Sequence, residues 1–262
     1  MLIVGIDLAW GGRKPDGIAV IRVRRGRASL EGVTATHGDD ALLALVASML
    51  GSRGERDPAP GLLAFDGPIV CPNRTGSRPV DRLTHTLFGR YHAGCHPANR
   101  TRCPRPARLA ARFRRLGFDS EYALPGPRPI RERDGRPLRR QVEVYPHPAM
   151  VRLFALSRIL KYKRGPVAAR RRELVRLQGL VRKLLPAFEP TVRPSADVTR
   201  FFARDPRRLR GLAHKRHEDG LDAIVCALVG LLHWWHGGRC TEALGDRKSG
   251  YIVVPKRQND EL

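Results

Sequence analysis

Six carboxylates stand out in this chain because of where they fall. Glu218, Asp219 and Asp222 open the apolar part of a helical pattern over 214–236. At about 100° per residue, Leu221, Ile224, Val225, Leu228, Leu231 and Leu232 fill one apolar arc. Glu218 and Asp222, four apart, stack at its edge, where like charges repel. Asp7, Asp66 and Glu143 stand at or near the ends of apolar runs that read as strands. Strand ends of a mixed sheet are where sites collect. Gathering four or more carboxylates costs on the order of 1 kcal/mol or more per close pair at an effective dielectric near 20, and a cation removes that cost. Oxygen ligands without clustered His or Cys select Mg²⁺ or Mn²⁺ over Zn²⁺. Two such ions about 4 Å apart activate a water and stabilise the leaving oxygen of a phosphodiester. Lys215, one turn before Asp219, is spaced to neutralise developing phosphate charge.

Each acid also has a plain structural reading. Asp7 can cap the turn that follows it, Asp66 before Gly67-Pro68 is a common turn residue, and Glu143 can pair with an Arg. Glu218 and Asp219 are favourable first-turn charges for a helix. The joint pattern is more specific: an acid on each of three strands, plus an Asp pair three apart on a late helix. It points to a shared metal site.

The elements that must position these acids follow from periodicity and turn residues. Leu2–Asp7, Gly17–Val23 and Ala28–Ala35 read as an antiparallel meander joined by Gly turns. Asp39-Asp40 caps a helix over 41–50, a polar loop spans 51–60, and Gly61–Asp66 is a fourth strand. Residues 67–140 are rich in Pro and Arg and poor in aliphatics. They read as an insertion over the open end of the sheet, with short helices near 79–90 and 106–116. A fifth strand, 141–145, is followed by helices near 148–160 and 167–185, the latter with a stripe at Leu174, Leu177, Leu180, Val181 and Leu184. A helical piece near 195–210, the acidic helix and a final edge strand at 250–254 complete the chain. The expectation is a single domain over 1–262.

The 262 residues carry a net charge of +24 and a pI of about 11.3. Such charge argues for a polyanionic partner, nucleic acid first. Only seven of the 49 basic residues are Lys, so compositional drift is the competing source. Five Cys with no repeated CxxC do not form a secretory disulfide framework. No leader pattern and no apolar run of about 18 residues is present. The closing Asn-Asp-Glu-Leu is not read as a retrieval signal, because no entry signal accompanies it. A soluble, cytoplasmic protein with no membrane association is expected; nothing identifies a protein partner.

Gly5-Ile-Asp7, Phe65-Asp66-Gly-Pro68, Glu143-Val-Tyr-Pro-His-Pro148 and Lys215-x-x-x-Asp219-x-x-Asp222-Ala-Ile-Val-Cys-Ala227 resemble the "domain of unknown function 429" family (DUF429). These are predicted nucleases grouped with the ribonuclease-H-like superfamily, near the Holliday-junction resolvases. The resemblance covers about 1–255. It implies an α/β, ribonuclease-H-like fold with a five-stranded mixed sheet, the first three strands antiparallel, flanked by helices. It also implies metal ligation by Asp7, Asp219 and Asp222, and it matches Asp66 and Glu143 to the strand acids. Arg78-x-x-Asp81 and Gly89-Arg90 match family positions without a mechanism.

Weaker signals lie in the insertion. His92, Cys95 and Cys103, with His96 and Cys71 nearby, raise a structural Zn²⁺ site against a reading as polar filler. Arg74, Arg78, Arg90, Arg100, Arg102 and Arg105 are candidates to grip phosphates, or a solvated surface. His147 is either a proton donor near Glu143 or a strand-end residue. Trp234-Trp235 reads as a packing anchor.

The function expected is a Mg²⁺- or Mn²⁺-dependent nuclease acting on DNA or RNA. Asp7, Asp66, Glu143, Glu218, Asp219 and Asp222 are the candidate metal shell, and Lys215 the candidate charge neutraliser. The alternatives are a non-catalytic nucleic-acid-binding protein, an actin-like-fold phosphotransferase and a hydrolase of small phosphate esters. The phosphotransferase needs a second Gly-rich phosphate motif, and neither that nor a GxxxxGK[ST] loop is evident.

Overall fold

The computed structural model describes residues 1–51 and 58–256. Most of the expected 51–60 loop, and the terminal Asn-Asp-Glu-Leu, lie outside them. Its strands are β1 (Leu2–Asp7), β2 (Asp16–Arg24), β3 (Arg27–Thr36), β4 (Gly61–Asp66), β5 (Arg139–Val144), β6 (Val192–Pro194), β7 (Thr241–Asp246) and β8 (Gly250–Pro255). The helices are α1 (Asp39–Leu50), α2 (Pro79–Phe88), α3 (Pro104–Arg115), α4 (Pro146–Leu153), α5 (Val167–Ala187), α6 (Ala196–Ala203) and α7 (Gly211–His236).

The strands form one mixed sheet in the order β6-β3-β2-β1-β4-β5-β8-β7. The expected meander is present: β1 pairs antiparallel with β2, and β2 with β3. On its other side β1 pairs parallel with β4, and β4 with β5. Among the described residues the sheet has eight strands and not five. β6, three residues ending in Pro194, pairs with β3 and is too short to leave a period-2 signal. β7 carries only Thr241 and Leu244 as buried side chains, so its pattern is also faint. The β7–β8 hairpin turns on Asp246, whose Oδ1 accepts from the Lys248 and Ser249 amides at 2.7 and 2.8 Å. It places β8 inside the sheet, between β5 and β7, where an edge strand was expected.

Helix α7 crosses one face of β1 and β2 at very short range. A Cβ on Gly5 would lie 2.1 Å from the Ala223 carbonyl oxygen, and one on Gly17 would lie 2.4 Å from that of Asp219. Glycine at these two positions lets the helix backbone touch the sheet. α7 is buried on all sides from His217 to Leu231, so its acids lie inside the molecule and not along the rim of an apolar stripe. α5 covers it, with Gln178 Oε1 accepting from His217 Nε2 at 2.6 Å. On the opposite sheet face, α3 brings Phe113 against Phe65, with ring centroids 5.5 Å apart.

The helices differ in extent from expectation. α4 starts at Pro146, a favourable first position, and ends at Leu153; Ala155 takes a left-handed conformation (φ 49°) that ends any continuation. α6 begins where the Ser195 Oγ accepts from the Val198 amide at 3.2 Å and is shorter than the 195–210 piece. For α1, Gly38 is the cap residue; Asp39 and Asp40 lie in the first turn and pair with Arg105 and Arg112. The insertion does not carry a core of its own. Val80, Phe88, Ala93 and Cys95 pack with Leu244 of β7 and Ile252 and Val254 of β8. No helix among the described residues is long and apolar enough to cross a membrane.

Candidate active site

β1 and β4 run parallel with Asp7 directly opposite Asp66, so both last residues emerge at one sheet edge. Side chains alternate between faces along a strand. Asp7 shares parity with Gly5 and so faces α7. The close approach of α7 at Gly5 and Gly17 then delivers Asp219 and Asp222 to the same spot. Asp7 is 8% exposed, Asp219 3% and Asp222 not at all.

Two lysines hold this group. Lys163 lies 2.5 Å from Asp222 Oδ2, and the Tyr162 hydroxyl donates to Asp222 Oδ1 at 2.6 Å. Lys215 donates to Asp219 Oδ1 at 2.5 Å and Glu218 Oε1 at 2.8 Å. Glu218 and Asp222, expected to stack together, are therefore served by different cations. Burial pushes the Asp7 carboxyl well up; Lys163 opposes this, and Asp222, Asp66 and Asp219 reinforce it. Burial likewise pushes Asp66 up to about 6, with Lys163 pulling down and Asp222 pushing up. Burial acts to lower Lys163, but Asp222, Asp7, Tyr162 and Asp66 outweigh it and raise it well above its usual value.

The acids open into a cleft of about 950 Å³ whose lining includes Asp7, Asp66 and Asp219. Trp10, Tyr145 and His147 form part of its wall, and Lys14, Lys161, Arg164, Arg102 and Lys215 supply positive charge. Trp10 is set by its indole N–H donating to the Asp66 carbonyl at 3.0 Å. His147 lies between Tyr145 and Tyr162, with ring centroids at 5.5 and 6.0 Å. Burial, then the charge of Lys163, pushes it down to about 4, so its imidazole is neutral at neutral pH.

Glu143 is not brought to this group. In the β4–β5 register Glu143 pairs with Phe65, and Val144 with Asp66. That offset of one residue turns Glu143 to the opposite sheet face. There both its oxygens accept from Arg78, at 2.6 and 2.7 Å. Arg78 also donates twice to Asp81 Oδ1 and is itself 1% exposed, so it is no surface phosphate grip. Arg105 is also internal, bound to both oxygens of Asp16 and to Asp39. Arg74, Arg90 and Arg100 are exposed away from the cleft lining, and Arg102 alone of the six reaches it.

The cysteines and histidines of the insertion do not converge. Cys95 Sγ meets Thr84 Oγ1, Cys103 Sγ donates to the Asn99 carbonyl, and Cys71 donates to Asn73; His92 is exposed. Among the described residues no group of three or more His, Cys, Asp or Glu side chains is disposed to hold a metal as it stands. For the helix acids the reason is visible: the oxygens of Asp222 are turned to Tyr162 and Lys163, and those of Asp219 and Glu218 to Lys215. The donor type of Asp7, Asp66, Asp219 and Asp222, all carboxylate, and the burial that raises Asp7 and Asp66, reinforced by Asp222, fit a hard divalent cation.

The family model described as a protein of unknown function (DUF429) matches residues 5–249. The chain belongs to the DUF429 family. A search of the curated proteins and a search of the solved structures each returned no match. The DUF429 match spans every element that positions the acids, from Gly5 through α7 to the β7–β8 turn. Lys163, Tyr162 and His147 also fall within it. Reading the sequence passed over the first two, because they sit in an irregular stretch with no periodicity.

Proposed function

We propose that this DUF429 protein is a divalent-metal-dependent nuclease, hydrolysing phosphodiester bonds of nucleic acid. One observation carries the reading: Asp7, Asp66 and Asp219, from two parallel strands and a helix, line a cleft rimmed by lysine and arginine, with Asp222 buried behind them. Ligands of open α/β sheets bind outside the carboxyl ends of strands where the strand order reverses, as it does between β1 and β4. The central order β3-β2-β1-β4-β5, antiparallel then parallel, supports a ribonuclease-H-like relationship within the larger sheet.

Asp7, Asp66, Asp219 and Asp222 would hold Mg²⁺ or Mn²⁺; bound there, the ion supplies an activated water and charge stabilisation at the leaving oxygen. The chain's own residues do the rest. Lys14, Lys161 and Arg164 attract and seat the phosphate backbone. Lys215 donates to Asp219 and Glu218 from one side of the cleft. His147, neutral beside Lys163, adds a hydrogen-bonding group to the wall without adding charge. Glu143 has no part, since Arg78 occupies both of its oxygens.

The test is cleavage of labelled single-stranded, duplex, hybrid and junction substrates with Mg²⁺, Mn²⁺ or EDTA. Metal-dependent cleavage is expected, with Asp7→Asn and Asp222→Asn each losing about 10³-fold, or about 4 kcal/mol of transition-state stabilisation. Tight binding with no cleavage, unchanged in both variants, would leave a binding protein; cleavage of small phosphate esters alone would reassign the substrate.

A further inference from the structure

Asp222 is wholly buried, and both of its oxygens are taken by consecutive residues: Tyr162 on Oδ1 and Lys163 on Oδ2. Both belong to residues 154–166, the stretch between α4 and α5, which forms no helix or strand. The same stretch supplies Ile159, Leu160, Lys161, Lys163, Arg164 and Gly165 to the cleft lining. Lys163 therefore does two things at once. Its ammonium is the positive charge acting most strongly on Asp7 and Asp66, and its stem is part of the wall that a substrate would touch.

One ammonium is a poor match for this demand. It carries a single charge for three carboxylates, and Asp7 remains raised despite it. It is also the kind of cation that moves: a compact charge on a flexible four-carbon stem, without the two-pronged fork that locks an arginine. The Lys163 side chain is 30% exposed and lines the cleft, whereas Asp222 is wholly buried.

We propose that Lys163 is an exchangeable counter-ion. In the metal-free protein it pairs with Asp222 and partly offsets the charge of Asp7 and Asp66. A divalent cation displaces the ammonium into the cleft, where, still tethered, it meets the phosphate of the substrate. Lys163 is thus a substrate-phosphate ligand whose availability depends on metal occupancy. The inference rests on the metal-dependent reading above. No bond is made or broken: one cation replaces another at Asp222 Oδ2, and Tyr162 keeps its hydrogen bond to Oδ1.

Two measurements on the full chain test it, with Mn²⁺ alone as the probe. In the first, wild-type protein is briefly acetylated with acetic anhydride, and Lys163 labelling is read by peptide mass spectrometry against the exposed Lys248. Labelling of Lys163 is expected to be slow without metal and to rise at least about fivefold with saturating Mn²⁺, a ratio well under the tenfold that 1.4 kcal/mol represents. In the second, calorimetry compares Mn²⁺ binding by wild type and Lys163→Met, with Lys163→Arg as a charge-keeping control. Lys163→Met is expected to bind about tenfold more tightly. Wild-type Mn²⁺ binding with unchanged or reduced Lys163 labelling overturns the exchange while leaving the metal reading intact. So does equal or weaker binding by Lys163→Met. Absence of Mn²⁺ binding in wild type and both variants overturns the metal reading itself. The labelling experiment needs no variant, so it decides the exchange even if Lys163→Met fails to fold.

Discussion

Two groups of buried and half-buried acids lie toward opposite faces of the sheet, and they meet different cations. On one face Glu143 and Asp81 share Arg78, whose Nε, Nη1 and Nη2 all donate, one of them also to the Val70 carbonyl. On the other face Asp7, Asp66, Asp219 and Asp222 are served by Lys163 and Lys215. The first group is saturated: rigid forks meet carboxylates with matching geometry, and the Asp16–Arg105–Asp39 group repeats the device. The second remains short of positive charge and is closed by flexible cations. Arginine forks mark the acids that build the molecule; lysines mark the acids left open to exchange.

The contrast is sharpest if the fork is removed. Arg78→Ala strands two buried carboxylates and should destabilise the protein by about 3–5 kcal/mol, read as a lower denaturant midpoint; a loss below 1 kcal/mol would erase the distinction between the two groups. Next comes the helix contact that assembles the lysine-served group. Gly5→Ala places a methyl carbon 2.1 Å from the Ala223 carbonyl oxygen, so α7 must shift. Overpacking of this kind costs about 1–3 kcal/mol, and the expected signature is weaker Mn²⁺ binding along with the lower stability.

The smallest effect is a pH dependence contributed by the lysine-served side, beside that of Glu143, which burial pushes up to about 7 on the arginine-served side. Asp66 is raised from 3.8 to about 6 in the folded chain, so the native state holds its proton more tightly than the unfolded state does. The associated stability is present below pH 4 and is lost as pH rises through about 6. Metal-free melting temperature should therefore fall across that window, and Asp66→Asn should flatten the fall. An unchanged profile in Asp66→Asn would place the titration elsewhere.

The same contrast explains what was legible in the residues. Asp7 and Asp66 end apolar runs, and Asp219 and Asp222 open a helical arc, so local periodicity was enough to single them out. Glu143 ends a similar run, but its face depends on strand register, a pairing between distant segments that local pattern does not encode. Arg78 sits among many arginines, and composition cannot distinguish the buried one from the solvated. Tyr162 and Lys163 lie in irregular backbone, where spacing along the chain carries no information about distance in space. The meander was readable because Gly turns and alternation are local signals; β6 and β7 were too short or too polar to leave one.

Helix α7 is 26 residues long, or about 39 Å at 1.5 Å per residue, and its acids occupy only its first half. Its far end is pinned by the insertion. The Trp234 indole donates to the Pro129 carbonyl, the Arg128 amide donates to the Trp234 carbonyl, and His233 meets the Tyr122 carbonyl and Thr241. A rod gripped at one end by aromatic side chains and pressed at the other against glycine backbone can neither slide nor screw about its axis. The segment around 122–129 therefore works as a thrust bearing for carboxylates it never touches, and trimming it would detune the alignment of Asp219 and Asp222 from the opposite end of the shaft.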